Sequence, residues 1–355
     1  MNTIDEGIAL LKYLKSKNIE AYIVGGAVRD YLLGEKVKDL DIACNTKMDR
    51  LFVVADDYIV DDSAKQYGSL KIKKSLADPF IELTCFRTDL EYLDNRHPVI
   101  KYTKDIKVDA LRRDFTINSL YMDENKNIID PLEARQDLKD KLIKTCIDSD
   151  ISFKSDSLRM LRAIRFSLRL NFSLEKEVVL ALKKNQKLLI KAKEKIKNEL
   201  DEILLYDDYR YLMFFDYFKD FSKEFSMLNK SMSLKEKYLI LNLFKRLPLN
   251  YSKMENKFIK KYLFIKTISK YDIYTHYNEV AYLCYLYKLV YNKELDCDIS
   301  IKKRNDININ IKQIKEYTNE VNKAYIEIEK AILNGSLDND LVAIQEFLGD
   351  YYENK

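Results

Sequence analysis

The fold of the first part of the chain is decided at residues 21–44, which read AYIVGGAVRDYLLGEKVKDLDIAC. An apolar run ends at the pair Gly25 and Gly26, and a helix-forming stretch containing Arg29 follows directly. This order predicts a strand, a tight turn and a helix, and the glycines would let a phosphate approach the backbone amides at the start of the helix. An ordinary strand-to-helix turn is the competing interpretation, because short glycine motifs occur in many unrelated loops.

Two aspartates, Asp39 and Asp41, come soon after this turn. Residues two apart in a strand project from the same face, so the sequence predicts two carboxylates side by side. Paired carboxylates repel unless a cation lies between them, and Mg²⁺ held by a few carboxylates and nucleotide phosphates is the usual solution. A solvated strand edge is the alternative. Glu82, in FIELTCF, is either a third carboxylate from a neighbouring strand or a simple strand-face acid.

Length and composition bound the class of protein. The chain has 355 residues, of which 47% are hydrophobic and 33% charged, with a formal net charge of +4. We therefore expect a globular protein of more than one domain, with no membrane segment. Five scattered cysteines and two histidines argue against a zinc or disulfide framework, and the acidic N-terminal residues argue against a signal peptide, so we expect a cytoplasmic location.

Glycine and proline divide the chain in two. No glycine occurs from residue 69 to 334, and Pro248 is the only proline after Pro131, so the long second part is predicted to be helical. The first part instead contains the short β-rich runs AYIV, LDIAC, SLKIKKSL and FIELTCF. A last hairpin is expected within residues 123–142, which places the boundary near residue 140.

A basic and acidic cluster occurs in DALRRDFTINSLYMD, residues 109–123. Adjacent Arg113 and Asp114 could hold a ribose, the acid accepting from its hydroxyls while the guanidinium reaches a phosphate. A structural salt bridge explains the same pair equally well.

A second cluster occurs in DSLRMLRAIRF, where Asp156, Arg159, Arg162 and Arg165 are spaced by threes. On a helix this spacing forms one line of side chains, and three aligned arginines call for an anion. Asp156 and Arg159 offer an acceptor beside a donor, which matches the edge that cytosine and adenine share and that uracil and guanine lack. A purely structural line of arginines is the alternative.

These motifs, in this order and spacing, resemble the class II tRNA nucleotidyltransferases, which comprise the CCA-adding enzymes and their bacterial poly(A) polymerase relatives. The resemblance covers about residues 20–205. It implies an α+β fold in which a nucleotidyltransferase head of the DNA polymerase β type, a mixed sheet with helices, precedes an all-helical neck, body and tail. The implied domains are a catalytic head at 1–140, a neck that reads the nucleotide base at 141–205, and a tRNA-binding body and tail at 206–355.

The resemblance also implies a role for each matching residue. The set comprises Asp39 and Asp41 for catalytic Mg²⁺, Gly25, Gly26 and Arg29 for the triphosphate, Arg113 and Asp114 for the ribose, Asp156 and Arg159 as a protein template for the base, and Arg162 and Arg165 for the nucleotide. One departure is Ser155, which stands where the family usually has glutamate.

The activity that the resemblance implies is addition and repair of the 3′-terminal CCA of tRNA from CTP and ATP, by two-metal phosphoryl transfer. The expected partner is the tRNA acceptor arm and 3′ end, with no obligate protein partner. Residues 87–109 look like the full flexible loop associated with switching from CTP to ATP, which favours complete CCA addition. The alternatives are an enzyme that adds only A, a poly(A) polymerase, and a non-catalytic RNA-binding protein.

Overall fold

The computed structural model forms two compact units, Met1–Ser222 and Lys223–Lys355. The residues that it describes are 3–92, 98–206, 208–212, 215–219, 221–243, 247 and 249–353. Within these residues, no helix is both long and apolar enough to cross a membrane.

Among the described residues, the first unit contains eleven short strands. They are β1 (Ala21–Val24), β2 (Asp41–Cys44), β3 (Ile59–Asp61), β4 (Ser69–Lys73), β5 (Ile81–Cys85), β6 (Arg87–Tyr92), β7 (Pro98–Tyr102), β8 (Tyr121–Met122), β9 (Ile128–Ile129), β10 (Leu142–Ile143) and β11 (Ser173–Leu174). Seven of them form one mixed sheet in the order β3-β4-β5-β2-β1-β8-β9. The four strands expected from the sequence all belong to this sheet. The last hairpin is formed by β8 and β9, and its first strand lies just before the segment 123–142 in which it was expected.

Helices dominate the rest of the chain. The helices are α1 (Thr3–Ser16), α2 (Gly26–Leu32), α3 (Met48–Leu51), α4 (Ile106–Leu111), α5 (Ala134–Lys139), α6 (Ser149–Ser155), α7 (Arg159–Leu170), α8 (Lys176–Asn185), α9 (Lys193–Ile203), α10 (Asp216–Lys219), α11 (Ser222–Ser226), α12 (Leu234–Asn242), α13 (Lys253–Tyr262), α14 (Lys270–Thr275), α15 (Val280–Tyr291), α16 (Ile311–Ile314), α17 (Val321–Leu333) and α18 (Leu341–Glu353). The helical second part is thus as expected, apart from the two-residue parallel pair of β10 with β11.

The centre of the sheet positions the acidic residues. Strand β2 runs antiparallel to β1 and parallel to β5, so that Asp41 lies opposite Val24 on one side and Glu82 on the other. The expectation that Asp39 and Asp41 share one strand is wrong, because β2 begins at Asp41 and Asp39 lies in the preceding loop. Strand β1 ends at Val24, where the chain turns away, so this neighbour offers Asp39 no ladder partner.

A buried cluster with two aromatic residues includes members of the central strands. Phe86 and Tyr121 are almost completely buried and meet edge to face at 6.1 Å, within a core that also includes Val24, Ala43 and Ala110. Such edge-to-face pairs add to the gain from burying apolar surface. The packing fixes Tyr121, whose hydroxyl faces the charged residues described below.

The second unit has an isoleucine-rich core of its own. Ile301, Ile314, Ile328 and Ile344 are each at most 1% exposed and lie in one buried cluster. Helices α12, α13 and α14 are each preceded by an N-cap serine that takes part in a capping box. Their starts are therefore set by local sequence rather than by distant contacts.

Candidate active site

The turn between β1 and α2 requires glycine at its first position. Gly25 has φ +76° and ψ −136°, a conformation that side chains strongly disfavour. A Cβ built there would lie 3.7 Å from Asp41 Oδ2 and 4.0 Å from Arg113 Nη1. The first N–H groups of α2 have no partner within the helix. The turn therefore presents backbone donors next to an acid and an arginine, as phosphate binding requires.

A cleft of about 440 Å³ opens beside this turn, and the eleven residues to which the resemblance assigns a role all line it. The cleft is also lined by Ala27, Asp30, Lys38, Arg112, Asn118, Phe166 and Arg169. The lining carries eight lysine and arginine side chains against five aspartates. This excess of positive charge suits a polyanion such as a nucleoside triphosphate.

The acidic end of the cleft contains Asp39 and Asp41. The pKa of Asp41 is raised to about 6, first by desolvation among the surrounding protein atoms and then by the charge of Glu82, with a further contribution from Asp39. Glu82 itself accepts a hydrogen bond from Ser69 Oγ and, among the described residues, is not part of the cleft lining. Carboxylate oxygens that repel one another are suitable ligands for a hard divalent cation.

The acidic side chains do not form a complete metal cage. Among the described residues, no group of three or more His, Cys, Asp or Glu side chains is placed to hold an ion. Two carboxylates that leave most coordination positions open fit a magnesium-like ion that also binds phosphate and water. Asp39 and Asp41 therefore fit a metal shared with the ligand.

The buried carboxylate of Asp109 holds Arg112 and Arg113 in position. It is completely buried and accepts hydrogen bonds from Arg112 Nε at 2.8 Å, Arg113 Nη2 at 2.9 Å and the Tyr121 hydroxyl at 2.7 Å. Its fourth donor is the backbone N–H of Arg87, at 3.3 Å. Burial alone would raise the pKa of Asp109, but Arg113 and Arg112 outweigh it and hold the pKa well below its ordinary value.

Asp114 is a second aspartate held by several donors, and it lines the cleft. Its Oδ2 accepts from Arg162 Nε at 2.9 Å and Nη2 at 2.6 Å, and its Oδ1 accepts from Asn118 Nδ2 at 3.0 Å and Phe115 N at 2.8 Å. Burial opposes ionisation, but Arg162 and Asn118 prevail and lower the pKa of Asp114 to about 2. The carboxylate is therefore ionised at neutral pH and fixed in orientation.

The predicted line of arginines is present on α7, where Arg159, Arg162 and Arg165 lie in succession. Asp156 is not part of this helix, because it caps the C-terminus of α6 with an extended backbone. Mutual repulsion of the arginines is relieved by acids of the protein itself. Besides the pairing of Arg162 with Asp114, Glu199 on α9 lies 2.8 Å from Arg165 Nε. The line is therefore partly neutralised before any ligand binds.

The base-reading pair predicted from the sequence lies at the junction of α6 and α7. Asp156 Oδ1 accepts from Leu158 N at 3.0 Å, which fixes the acid at the start of the helix. Arg159 donates to Ser152 Oγ at 2.9 Å and to the backbone oxygen of Arg112 at 2.6 Å. The Oγ of Ser155 donates to the backbone oxygen of Ser152 at 2.8 Å.

Arg29 is the most buried cation of the cleft, at 1% exposure. Its Nε donates to Asp30 Oδ1 at 2.8 Å and its Nη1 donates to Asn118 Oδ1. Asp30 in turn accepts from Arg169 at 2.8 Å. The guanidinium of Arg29 therefore lines the cleft next to the glycine turn and is held there by these bonds.

Phe166 lies among three guanidinium groups. The ring centroid is 4.6 Å from the Cζ atom of Arg165, 5.1 Å from that of Arg29 and 5.5 Å from that of Arg162. The negative face of an aromatic ring attracts cations at these distances. Phe115 meets the same ring edge to face at 5.8 Å, which holds it in place.

Phe166→Leu is therefore expected to weaken nucleotide binding about tenfold while largely preserving the fold, because leucine fills much of the space but has no aromatic ring. Equilibrium titration with a fluorescent nucleoside triphosphate measures the effect. Phe172→Leu is the matched control, since Phe172 is equally buried, at 5% exposure, but is not among the residues lining the cleft. Equal affinity in the two variants would contradict a role for the ring.

Sequence reasoning missed several residues of the cleft, although each had a local signal. Lys38 directly precedes Asp39, Phe166 directly follows the last of the three arginines, and Arg169 continues their face of the helix by one more turn. Of the proposed flexible loop at 87–109, residues 93–97 lie outside the described residues. Its described strands, β6 and β7, pair with a register shift between Asp89 and Glu91.

The part of the chain that contains Asp39, Asp41 and most of the sheet is similar to a known protein family. A family model described as the poly A polymerase head domain matches residues 21–144. This stretch is similar to that head domain. The matched stretch includes the glycine turn, Asp39, Asp41 and the Arg113–Asp114 pair.

The similarity to individual relatives extends over more residues than the family model matches. The CCA-adding enzyme of Bacillus pumilus is 39% identical over 200 residues, and that of Geobacillus thermodenitrificans is 35% identical over 201 residues. Each match covers 56% of this chain and 49% of the relative, so the chain matches about half the length of these proteins. A match to the CCA-adding enzyme of Streptococcus uberis, at 27% identity, covers 99% of this chain and 97% of that protein.

Solved structures share the fold of the head domain and of the helices after it. The CCA-adding enzyme of Bacillus stearothermophilus in complex with CTP aligns with a TM-score of 0.65 at 21% identity, covering 100% of this chain and 99% of that one. The expected α+β class, a mixed-sheet head followed by helical regions, is confirmed. The resemblance to class II tRNA nucleotidyltransferases is likewise confirmed.

Proposed function

We propose that the protein is a template-independent tRNA nucleotidyltransferase, which adds and repairs the 3′-terminal CCA of tRNA from CTP and ATP. One observation carries the proposal: a single cleft combines a glycine turn, two carboxylates and a helical line of arginines. The relatives named as CCA-adding enzymes support it. A divalent metal is required, and we propose that it is Mg²⁺.

The acidic end of the cleft would hold the metal through Asp39 and Asp41. When bound there, the metal would lower the pKa of the attacking 3′-hydroxyl and neutralise the triphosphate as pyrophosphate leaves. The protein contributes the rest by orientation and charge. The triphosphate binds to the backbone amides after Gly25 and to the guanidinium of Arg113, which Asp109 holds in place. Arg29, held by Asn118, fixes the position of the turn.

The ribose end is assigned to Arg113 and Asp114. Because Asp114 already accepts from four N–H donors, it acts on the ribose together with the groups that it holds, Asn118 and Arg162. Their remaining N–H groups would donate to the sugar hydroxyls and to phosphate oxygens. Arg162 and Arg165 thus keep a role at the nucleotide even though protein acids partly neutralise them.

Base choice is assigned to Asp156 and Arg159. Arg159 keeps unused N–H donors after its bonds to Ser152 and Arg112, and Asp156 keeps a second carboxylate oxygen. An acceptor next to a donor complements the amine and ring nitrogen of cytosine and adenine. Ser155 makes no side-chain bond to either residue, so the departure from the family pattern leaves this pair in place.

The domains follow the same proposal. The head at 1–140 and the neck at 141–205 form the cleft, and the helices of 206–355 bind the acceptor arm of tRNA through its phosphates and A-form shape. No obligate protein partner is needed, and the location is cytoplasmic.

One assay tests the proposal. Purified protein and Mg²⁺ are given three tRNA transcripts, which end at the discriminator base, after the first C and after the second C, with CTP, ATP or both. Growth by CC with CTP and by A with ATP is the expected result. A single A added only to the transcript ending in CC would make the protein an A-adding enzyme, and long A tails a poly(A) polymerase. Binding without any incorporation would make it a non-catalytic RNA-binding protein.

A further inference from the structure

Two of the five cysteines meet in the second unit. Cys284 lies on α15 and Cys297 lies in the segment after it, 13 positions along the chain, and their Sγ atoms are 2.7 Å apart. This separation exceeds the length of a disulfide bond by only about 0.7 Å. The spacing in the sequence does not reveal the pair, because the approach depends on how the chain turns after the helix.

The chain after α15 folds back along the helix. Asn292 ends the helix in the left-handed conformation, with φ +52°. Lys288, about one turn before the helix end, pairs with Glu294 in the returning segment. Cys297 then reaches Cys284, which lies about two turns before the helix end. The approach of the two thiols is therefore set by this reversal of the chain.

A small molecule in solution can reach this pair of thiols. Cys284 and Cys297 are both partly exposed. By contrast, Cys44 and Cys85, which lie opposite each other in the register of β2 and β5, are completely buried. Reactive cysteines are partly exposed, whereas buried structural ones are inert. Of these two pairs, only the one in the second unit is open to a reagent in the folded protein.

The two sulfurs are not equivalent. Burial, followed by the hydrogen bond with Cys284 and the charge of that group, raises the pKa of the Cys297 thiol to about 12. Cys297 therefore keeps its proton at neutral pH and donates it toward the sulfur of Cys284. Because a thiolate is the nucleophile in disulfide exchange, Cys284 is assigned the attacking role.

We propose that Cys284 and Cys297 form a thiol–disulfide exchange site that reacts with low-molecular-weight disulfides, and that its oxidised form fixes α15 to the segment that follows the helix. Neither cysteine lines the nucleotide cleft, so the inference goes beyond the proposed function. In a reducing compartment the pair is present as two thiols, and its oxidation is transient.

The exchange takes place in two balanced steps. The Cys284 thiolate attacks one sulfur of the small disulfide, forms a mixed disulfide and displaces the other sulfur as a thiolate, which takes up the proton that Cys284 released. The mixed disulfide at Cys284 carries no charge, so two of the causes that raise the pKa of Cys297 are weakened.

Cys297 then loses its proton, attacks the Cys284 sulfur and displaces the second small thiolate, which takes up that proton. In sum, two protein thiols are oxidised to one disulfide, and the small disulfide is reduced to two small thiols. An excess of small thiol reverses both steps.

The segment that the disulfide would hold leads into the core of the second unit. Ile299 and Ile301 are at most 6% exposed and belong to the isoleucine-rich cluster, and Leu295 packs against it. A disulfide would tie α15 to this core and restrict the unfolded chain, which raises the stability of the folded state.

The test treats the reduced full-length protein with oxidised glutathione and maps it by mass spectrometry after tryptic digestion without reductant. Trypsin cleaves after Lys270, Lys288, Lys293 and Lys302, so the two cysteines fall in separate peptides, 271–288 and 294–302. We expect these two peptides joined by one disulfide. We also expect a rise in Tm of roughly 5–10 °C that a small thiol reverses.

Three results would overturn the proposal. They are glutathione on either cysteine without the joined peptide, no modification of either cysteine, and an unchanged Tm in protein that contains the joined peptide. Because this measurement uses the wild-type chain, it decides the proposal even if a cysteine variant fails to fold.

Substitutions test the assigned roles. Cys297→Ser should retain glutathione on Cys284, because no second thiol resolves the mixed disulfide, and Cys284→Ser should leave Cys297 largely unmodified. Cys146→Ser is the matched control, since Cys146 is also partly exposed but its thiol hydrogen-bonds with Ser119. It should form the joined peptide as wild type does. Glutathione on Cys297 in Cys284→Ser would overturn the assignment of the attacking sulfur.

Discussion

Replacement of Asp41 by asparagine is expected to reduce nucleotide incorporation by about a thousandfold or more, because the amide supplies neither the charge nor the ligand that a divalent cation needs. Binding of tRNA should be unchanged, since Asp41 lies at the acidic end of the cleft. Single-turnover extension of a labelled tRNA transcript, with a filter-binding assay alongside, measures both. Asp61→Asn, at the end of the edge strand β3, is the matched control and should extend the transcript normally.

The Asp41→Asn variant also tests whether the divalent cation binds at Asp41. The folded pKa of Asp41 is about 6, above the ordinary value for aspartate, so this group favours the folded state more as the pH falls from neutral. A divalent cation competes with that proton. We expect Mg²⁺ or Mn²⁺ to raise the Tm of wild type clearly at pH 7.5 and much less at pH 5. An equal rise for wild type and Asp41→Asn at pH 7.5 would show that the cation binds elsewhere.

The second large effect is expected for Asp109→Asn. The carboxylate is completely buried and accepts from two arginines and a tyrosine hydroxyl, and the amide would leave those guanidinium groups without their counter-charge. Breaking a buried ion pair of this kind costs about 3 kcal/mol. For a unit of this size the Tm should fall by roughly 6–12 °C. Thermal unfolding followed by circular dichroism measures it.

Asp62→Asn controls for loss of an acid as such. Asp62 pairs with Lys65, but both side chains are largely exposed, so water and salt screen the pair. The Tm of this variant should remain close to that of wild type. A comparable loss in both variants would mean that the buried ion pairs of Asp109 stabilise the fold no more than an exposed pair does.

Acid titration gives an independent check. Asp109 and Asp114 have folded pKa values below the ordinary value for aspartate, so their contribution to stability is present above about pH 4 and is lost as the pH falls toward the folded values. Wild type should therefore lose stability steeply between about pH 4 and pH 2. Asp109→Asn should start from a lower stability and lose less over that interval. Parallel curves for the two proteins would contradict this account.

Much of the site could be predicted because its signals are local. The Gly25 turn, the first strands and the helical arginines depend on residues within a few positions of one another, and a short window contains that information. The same reasoning placed Asp39 on a strand, which is wrong, since the strand begins only where two neighbours pair with Asp41. Ladder partners are distant in sequence, so a strand end is hard to locate from the pattern alone.

The partners of the charged groups could not be predicted for the same reason. The arginine line suggested a missing anion, yet Asp114 and Glu199 already supply negative charge from other segments. The bond from Arg29 to Asn118 joins residues 89 positions apart. Sequence spacing shows which side chains share a face, but it does not show which distant carboxylate or amide meets them.

The assignment of the whole cleft to the first unit has a consequence for biosynthesis. Every residue that lines the cleft, and Glu199 behind it, precedes Ser222. Translation proceeds at roughly 5–20 residues per second, so synthesis of Lys223–Lys355 takes on the order of ten seconds. During that time the nascent chain on the ribosome already contains all residues of the cleft. The order of synthesis thus places the whole lining of the cleft ahead of the isoleucine-rich core of the second unit.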